Sequence, residues 1–98
     1  MHSTIPCSAL RVRKCLEVRY DGFTRVVEVH AVGITAEGDA VMRVWQVRGG
    51  SVSQEPVGWK LLRLDEARSL GVLAEDSAAP RPGYRRDDAA MRAITCQL

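Results

Sequence analysis

The chain has 98 residues, of which 46% are hydrophobic and 27% charged, with 14 basic against 12 acidic side chains and a formal net charge of +2. A chain of this length has room for one core, and no stretch approaches the roughly 20 apolar residues that cross a bilayer. So small a basic excess does not by itself imply a nucleic-acid partner.

Residues Met1–Leu10 show no basic segment followed by an apolar one, so no secretory leader is read there. Ser8–Lys14 is ambiguous: Ser8 suits a helix cap, yet Leu10 and Val12 alternate with Arg11 and Arg13, which reads as extended or as a single turn. Cys15–Tyr20 alternates cleanly, with Leu16, Val18 and Tyr20 on one face. Asp21-Gly22 then signals a two-residue hairpin, because both residues tolerate the positive φ of a type I′ turn. Thr24–Thr35 is long and β-branched, and Gly33 marks a bulge or bend; the buried parity switches near Ala31.

Ala36–Asp39 is a second tight turn, and Val41–Val47, apolar on both faces, reads as the central strand. Residues Arg48–Gly58 have loop chemistry, and Trp59–Leu64 resumes a strand. Asp65 is expected to cap a single helical turn before an edge strand at Leu70–Leu73. Five strands in this order form a mainly β fold, a small five-stranded SH3-like or Sm-like partly open barrel. Beyond Ala78–Gly83, Asp87 is expected to cap a short C-terminal helix with Met91 and Ile94 on one face. The whole reads as one domain, a barrel over residues 15–73 with an extension over 74–98 that docks back on it.

The order of Leu16–Gly22, Arg25–His30 and Trp59–Asp65 resembles the WYL domain, a bacterial ligand-sensing module with an Sm-like barrel; Tyr20, Arg25, Glu28, His30, Arg63 and Asp65 fall on its pattern. The naming tripeptide position holds Ala40-Val41-Met42, the expected Pro is Val29, and Ala67 stands where an Arg closes the fourth-strand segment. The chain thus looks like a divergent, stand-alone relative. The resemblance implies a sensor of nucleic acids or nucleotide-like signals that acts through a basic surface, here without the helix-turn-helix that often precedes such domains.

Twelve of the fourteen basic residues are Arg, which suits bidentate binding of phosphate, although an Arg-rich codon bias explains the same count. Arg25, Arg43, Lys60 and Arg63 lie on strands expected to be neighbours, flanked by His30 and Gln46, and Trp59 offers a stacking surface beside them. These seven residues are the candidate ligand-binding set. The alternative is a solvated face on which Glu17, Glu28 and Asp65 offset the cations. Trp45 is expected in the core, and Arg81, Arg85 and Arg86 around Tyr84 form a second basic and aromatic patch.

Cys7, Cys15 and Cys96 are odd in number and far apart, which suggests reduced thiols and a cytoplasmic setting. His2, His30 and the cysteines show no paired spacing for a metal, and no nucleophile and base stand in a recognisable arrangement, so neither a cofactor nor catalysis is expected. Two functions follow. One is a non-catalytic module that holds a single-stranded nucleic acid or nucleotide-like ligand; the other is an assembly unit that joins a protein partner or a second copy of itself.

Overall fold

Hairpin chemistry organises the sheet. In the computed structural model, which describes residues 3–98, β1 (Lys14–Tyr20) and β2 (Phe23–Ile34) meet at Asp21-Gly22. Both turn residues have positive φ, 50° and 78°, the mirror-image geometry whose twist matches the strands it joins. Leu16 pairs with Val27 and Tyr20 with Phe23, so Leu16, Val18 and Tyr20 share the buried face. The readings of Met1 and His2 lie outside the described residues.

The turn at Thr35–Asp39 is closed by Gly38 N–H donating to the Thr35 carbonyl and Thr35 N–H to the Asp39 carbonyl, both at 2.9 Å. It leads into β3 (Ala40–Gly49), an irregular loop over residues 50–57, and β4 (Gly58–Arg63). A 3₁₀ turn at Leu64–Glu66 follows, then β5 (Arg68–Asp76), which returns to pair with β1. Asp65 lies inside that turn rather than capping it; Arg63 holds the cap position and no side chain bonds there. The strand order β4-β3-β2-β1-β5 makes a mainly β, antiparallel sheet that does not close on itself, with β2, not β3, at its centre.

The length of β2 is used twice. One side pairs with β3 throughout, while the other pairs with β1 as far as Val27 and with a sixth strand, β6 (Ala93–Gln97), from Ala31 onward. His30 is the extra residue: Val29 stands opposite Val44 and Ala31 opposite Arg43, so the bulge flips side-chain parity one position before Ala31. Gly33 marks a further shift, against β6, where an added Cβ would run into the Ala93 carbonyl and the Met91 sulfur.

The inner face of the sheet carries the main core, which includes Leu16, Val18, Val27, Val29, Met42, Val44, Leu62 and Leu64. Helix α1 (Thr4–Val12) packs on β1, β2, β5 and β6 and contributes Cys7, Ala9 and Leu10 to that core. The extended reading of Ser8–Lys14 is therefore corrected. Pro6 falls in the first turn, where its missing N–H costs no bond, and Arg13 ends the helix in the left-handed region.

The expected C-terminal helix is also absent. Its residues form a turn and β6, because the half of β2 beyond the bulge offers an open edge that a strand satisfies and a helix cannot. Met91 and Ile94 pack with Ala31 and Val41 as a second small core. The reading of three reduced thiols fails as well, since Cys7 of α1 and Cys96 of β6 form a disulfide and only Cys15 is free. The inference of a cytoplasmic setting loses that support. Among the described residues no helix is long and apolar enough to cross a membrane.

Candidate functional site

Strand parity divides the seven candidate residues among three places. Arg25, Gln46 and Lys60 take the inner parity, opposite Val18, Val27 and Val44 respectively. Trp59 and Arg43 lie on the outer face, which His30 shares by alternation from Glu28. Arg63 stands apart at the far end of β4, beside the Thr35–Asp39 turn.

The inner group is engaged with the protein itself. Arg25 is 3% exposed; it donates to the Tyr20 carbonyl and to Gln46 Oε1, each at 3.3 Å, and lies over the Tyr20 and Phe23 rings. Gln46 passes the chain of bonds on to the Gly50 carbonyl at 3.0 Å. Lys60 Nζ donates to Ser51 Oγ and Ser53 Oγ at 3.3 and 3.0 Å. The start of the β3–β4 loop is thus stitched down from two sides. Arg63 is exposed, but it forms a two-pronged contact with Asp65 and lies 3.4 Å from Asp39. A continuous positive groove over Arg25, Arg43 and Arg63 is not formed: one cation is internal and the other two are neutralised.

The outer face is roofed by the segment after β5. Glu28, 2% exposed, accepts Arg81 Nε and Nη2 at 2.7 and 3.2 Å and the Ala78 N–H at 2.6 Å. His30 is fully buried; its Nδ1 bonds the Glu28 carbonyl and its Nε2 accepts the Arg81 N–H, both at 2.9 Å. That pair of bonds defines a neutral ring with its proton on Nδ1. Burial, helped by the Arg81 charge, holds the His30 pKa below its usual 6.5. No buried side-chain nitrogen or oxygen among the described residues lacks a partner.

Around this clamp the aromatic rings gather. Trp59 stands edge-on to His30 at 4.6 Å and to Trp45 at 5.4 Å, and stacks on Tyr84 at 6.5 Å and 28°. The Arg81 guanidinium lies 5.4 Å from the Trp45 ring centre. Trp45 is therefore not a residue of the inner core; it is partly buried on the outer face beneath the tail. Parity set cations and tryptophans on the same face, and the tail accommodates both.

Beside Trp59 lies a hollow of about 380 Å³, walled by Arg43, Trp59, Tyr84, Arg85 and Asp88. Arg43 donates to both Asp88 oxygens, at 2.7 and 3.3 Å, and its hydrogen bond holds the Asp88 carboxyl below the ordinary range. Arg85 has no carboxylate partner among the described residues. Of the candidate set only Arg43 and Trp59 line this hollow. Tyr84 and Arg85 come from the second basic and aromatic patch, and Asp88 had no signal in the sequence beyond its charge.

Cys15 is the one free thiol among the described residues. It sits against the Asp76 carbonyl at 3.6 Å, and burial pushes its pKa up to about 11. At neutral pH it is a thiol, not a thiolate. The chain matches no family model, no curated protein and no solved structure.

Proposed function

We propose that this chain is a non-catalytic binding module that holds a nucleotide-like phosphorylated ligand, or a short single-stranded nucleic acid, in the hollow between β4 and the tail. One observation carries the reading: two aromatic rings, Trp59 and Tyr84, nearly parallel at 28°, stand beside a guanidinium, Arg85, that has no carboxylate partner among the described residues. A base stacked on such a ring gains about 1–3 kcal/mol, and a hollow of about 380 Å³ lies within the usual size of small-molecule sites. Arg85 and the outward side of Arg43 would meet the phosphate. The binding role thereby moves from Arg25 and Arg63 to Arg85.

In this reading the strand order β4-β3-β2-β1-β5, with a 3₁₀ turn before β5, belongs to an SH3-like or Sm-like sheet, and the WYL-like relationship rests on Tyr20, Arg25, Glu28 and His30 alone. The non-catalytic reading rests on Cys15 being protonated and on His30 having both ring nitrogens occupied. Titration with adenosine monophosphate, followed by tryptophan fluorescence at low salt, tests the proposal. Quenching that saturates, and that Arg85→Ala weakens several-fold, supports it; no quenching, or equal affinity in that variant, overturns it.

A second reading, assembly with another chain, draws on the free outer edge of β4 and on the exposure of Val57 and Leu61 there. A sedimentation measurement showing a stable dimer that Leu61→Lys dissociates would favour it.

A further inference from the structure

From the β3–β4 loop we infer a second anion site, separate from the hollow, in which Lys60, Ser51 and Ser53 bind a phosphate group. The three polar atoms form a closed triangle: Lys60 Nζ lies 3.3 Å from Ser51 Oγ and 3.0 Å from Ser53 Oγ, and the two hydroxyls are 2.8 Å apart. An ammonium has three N–H donors and each hydroxyl one O–H. The triangle uses three of these donors, so one N–H and one O–H remain unspent at the loop surface. Two adjacent donors around a cation match two oxygens of a phosphate.

Charge supports the assignment. Lys14, Arg25, Arg43, Arg48, Arg63 and Arg81 each lie within ion-pair distance of a carboxylate, and Lys60 does not. Glu55, the acidic residue of the same loop, makes no ion pair with it. Lys60 and Trp59 leave opposite faces of β4, which is why this site does not depend on the hollow. Free inorganic phosphate and the phosphate of a longer ligand share the chemistry it recognises.

The test is a titration with inorganic phosphate at constant ionic strength, read by amide chemical shifts. Saturable shifts at residues 50–55 and 60, distinct from any at the hollow around Arg85, weakened about tenfold in the Ser51→Ala/Ser53→Ala double variant and abolished in Lys60→Met, are expected. No saturable shift up to tens of millimolar overturns the site, as does unchanged affinity in the double variant, which would mean diffuse attraction to Lys60 alone. Unaltered amide spectra away from the loop show that each variant is folded. Arg85→Ala should leave phosphate binding here unchanged, so failure of the hollow and failure of this site are separately visible. Repeating the titration with adenosine monophosphate separates the sources: loop shifts that saturate independently of tryptophan quenching support a separate phosphate site, whereas loop shifts that track the quenching with one affinity overturn the separation.

Discussion

Arg81 and Glu28, 53 positions apart, form a two-pronged ion pair in which the carboxylate is almost wholly buried and the guanidinium is, among the described residues, the only cation that reaches it. This pair holds the tail on the sheet. Removing one partner of a buried pair leaves the other charge unpaired and typically costs about 3–5 kcal/mol, although the partial exposure of Arg81, 30%, favours the lower end. Arg81→Ala should therefore lower stability to urea by about 3 kcal/mol, and Arg81→Lys should recover only part, since a lysine cannot supply the two-pronged geometry. Equal denaturation midpoints for Arg81→Ala and wild type would show that the clamp adds nothing.

His30 should make stability depend on pH in a window of its own. Its folded pKa is below the unfolded value of 6.5, so the unfolded chain binds the proton more readily and stability falls as pH drops below that value. Above it the ring is neutral in both states and contributes no slope. The carboxylates held low by partners, Asp76 through Lys14, Glu75 through Arg48 and Asp88 through Arg43, act below their ordinary values of 3.8 to 4.5, leaving about pH 5 to 6.5 to His30. Protonation would also turn Nε2 into a donor facing the Arg81 N–H. Denaturation midpoints measured across this window should slope in the wild type and flatten in His30→Gln; equal slopes in both would rule the assignment out.

How much of this was legible in the sequence depends on where the deciding interaction lay. The β1–β2 hairpin was, because Asp21-Gly22 and the alternation of Leu16, Val18 and Tyr20 carry their own geometry. The parity switch near Ala31 was also visible, and the bulge at His30 is its cause. The N-terminal helix was obscured because Leu10 and Val12 alternate like a strand, although Pro6, Cys7 and Leu10 have helical spacing once Cys7 is counted as apolar. Residues 93–97 became a strand only because β2 has an open edge, a fact no local pattern contains. For the same reason the seven candidate residues could be chosen by type but not assigned to faces. Alternation from Glu28 sets His30 against Trp59 and Tyr84, and one residue of bulge then keeps Ala31 on that same face.

The tail should behave as part of the folding unit. It supplies β6, the buried Met91, the Arg81 clamp and Cys96, whose disulfide with Cys7 spans a separation of 89 residues. A crosslink closing so long a loop is worth about 4–5 kcal/mol in the chain-entropy picture and often less in practice. Reduction, or paired Cys7→Ser and Cys96→Ser substitution, should lower the melting temperature, and a chain ending at Asp76 should fail to melt cooperatively. A truncated chain that melts like the full one would show the tail to be a free arm.

Arg25 and Arg63 separate the structural cation from the surface one. Both are candidates by residue type and both carry one charge, yet Arg25 lies inside with bonds to the Tyr20 carbonyl and Gln46, whereas Arg63 lies outside between Asp39 and Asp65. Arg25→Ala leaves two buried acceptors without their donor, at about 1–3 kcal/mol each when unrelieved. It also frees Gln46, and with it the Gly50 end of the β3–β4 loop. Arg63→Ala breaks only exposed pairs, which solvent screens and which contribute little to stability. Urea denaturation should therefore show a large loss for Arg25→Ala and almost none for Arg63→Ala, and amide shifts in the first variant should spread to residues 49–53. Because Asp39 and Asp65 already neutralise Arg63, its loss should leave the affinity for adenosine monophosphate unchanged at low salt. A weakened nucleotide affinity in Arg63→Ala would move the binding site from the hollow to the far end of β4.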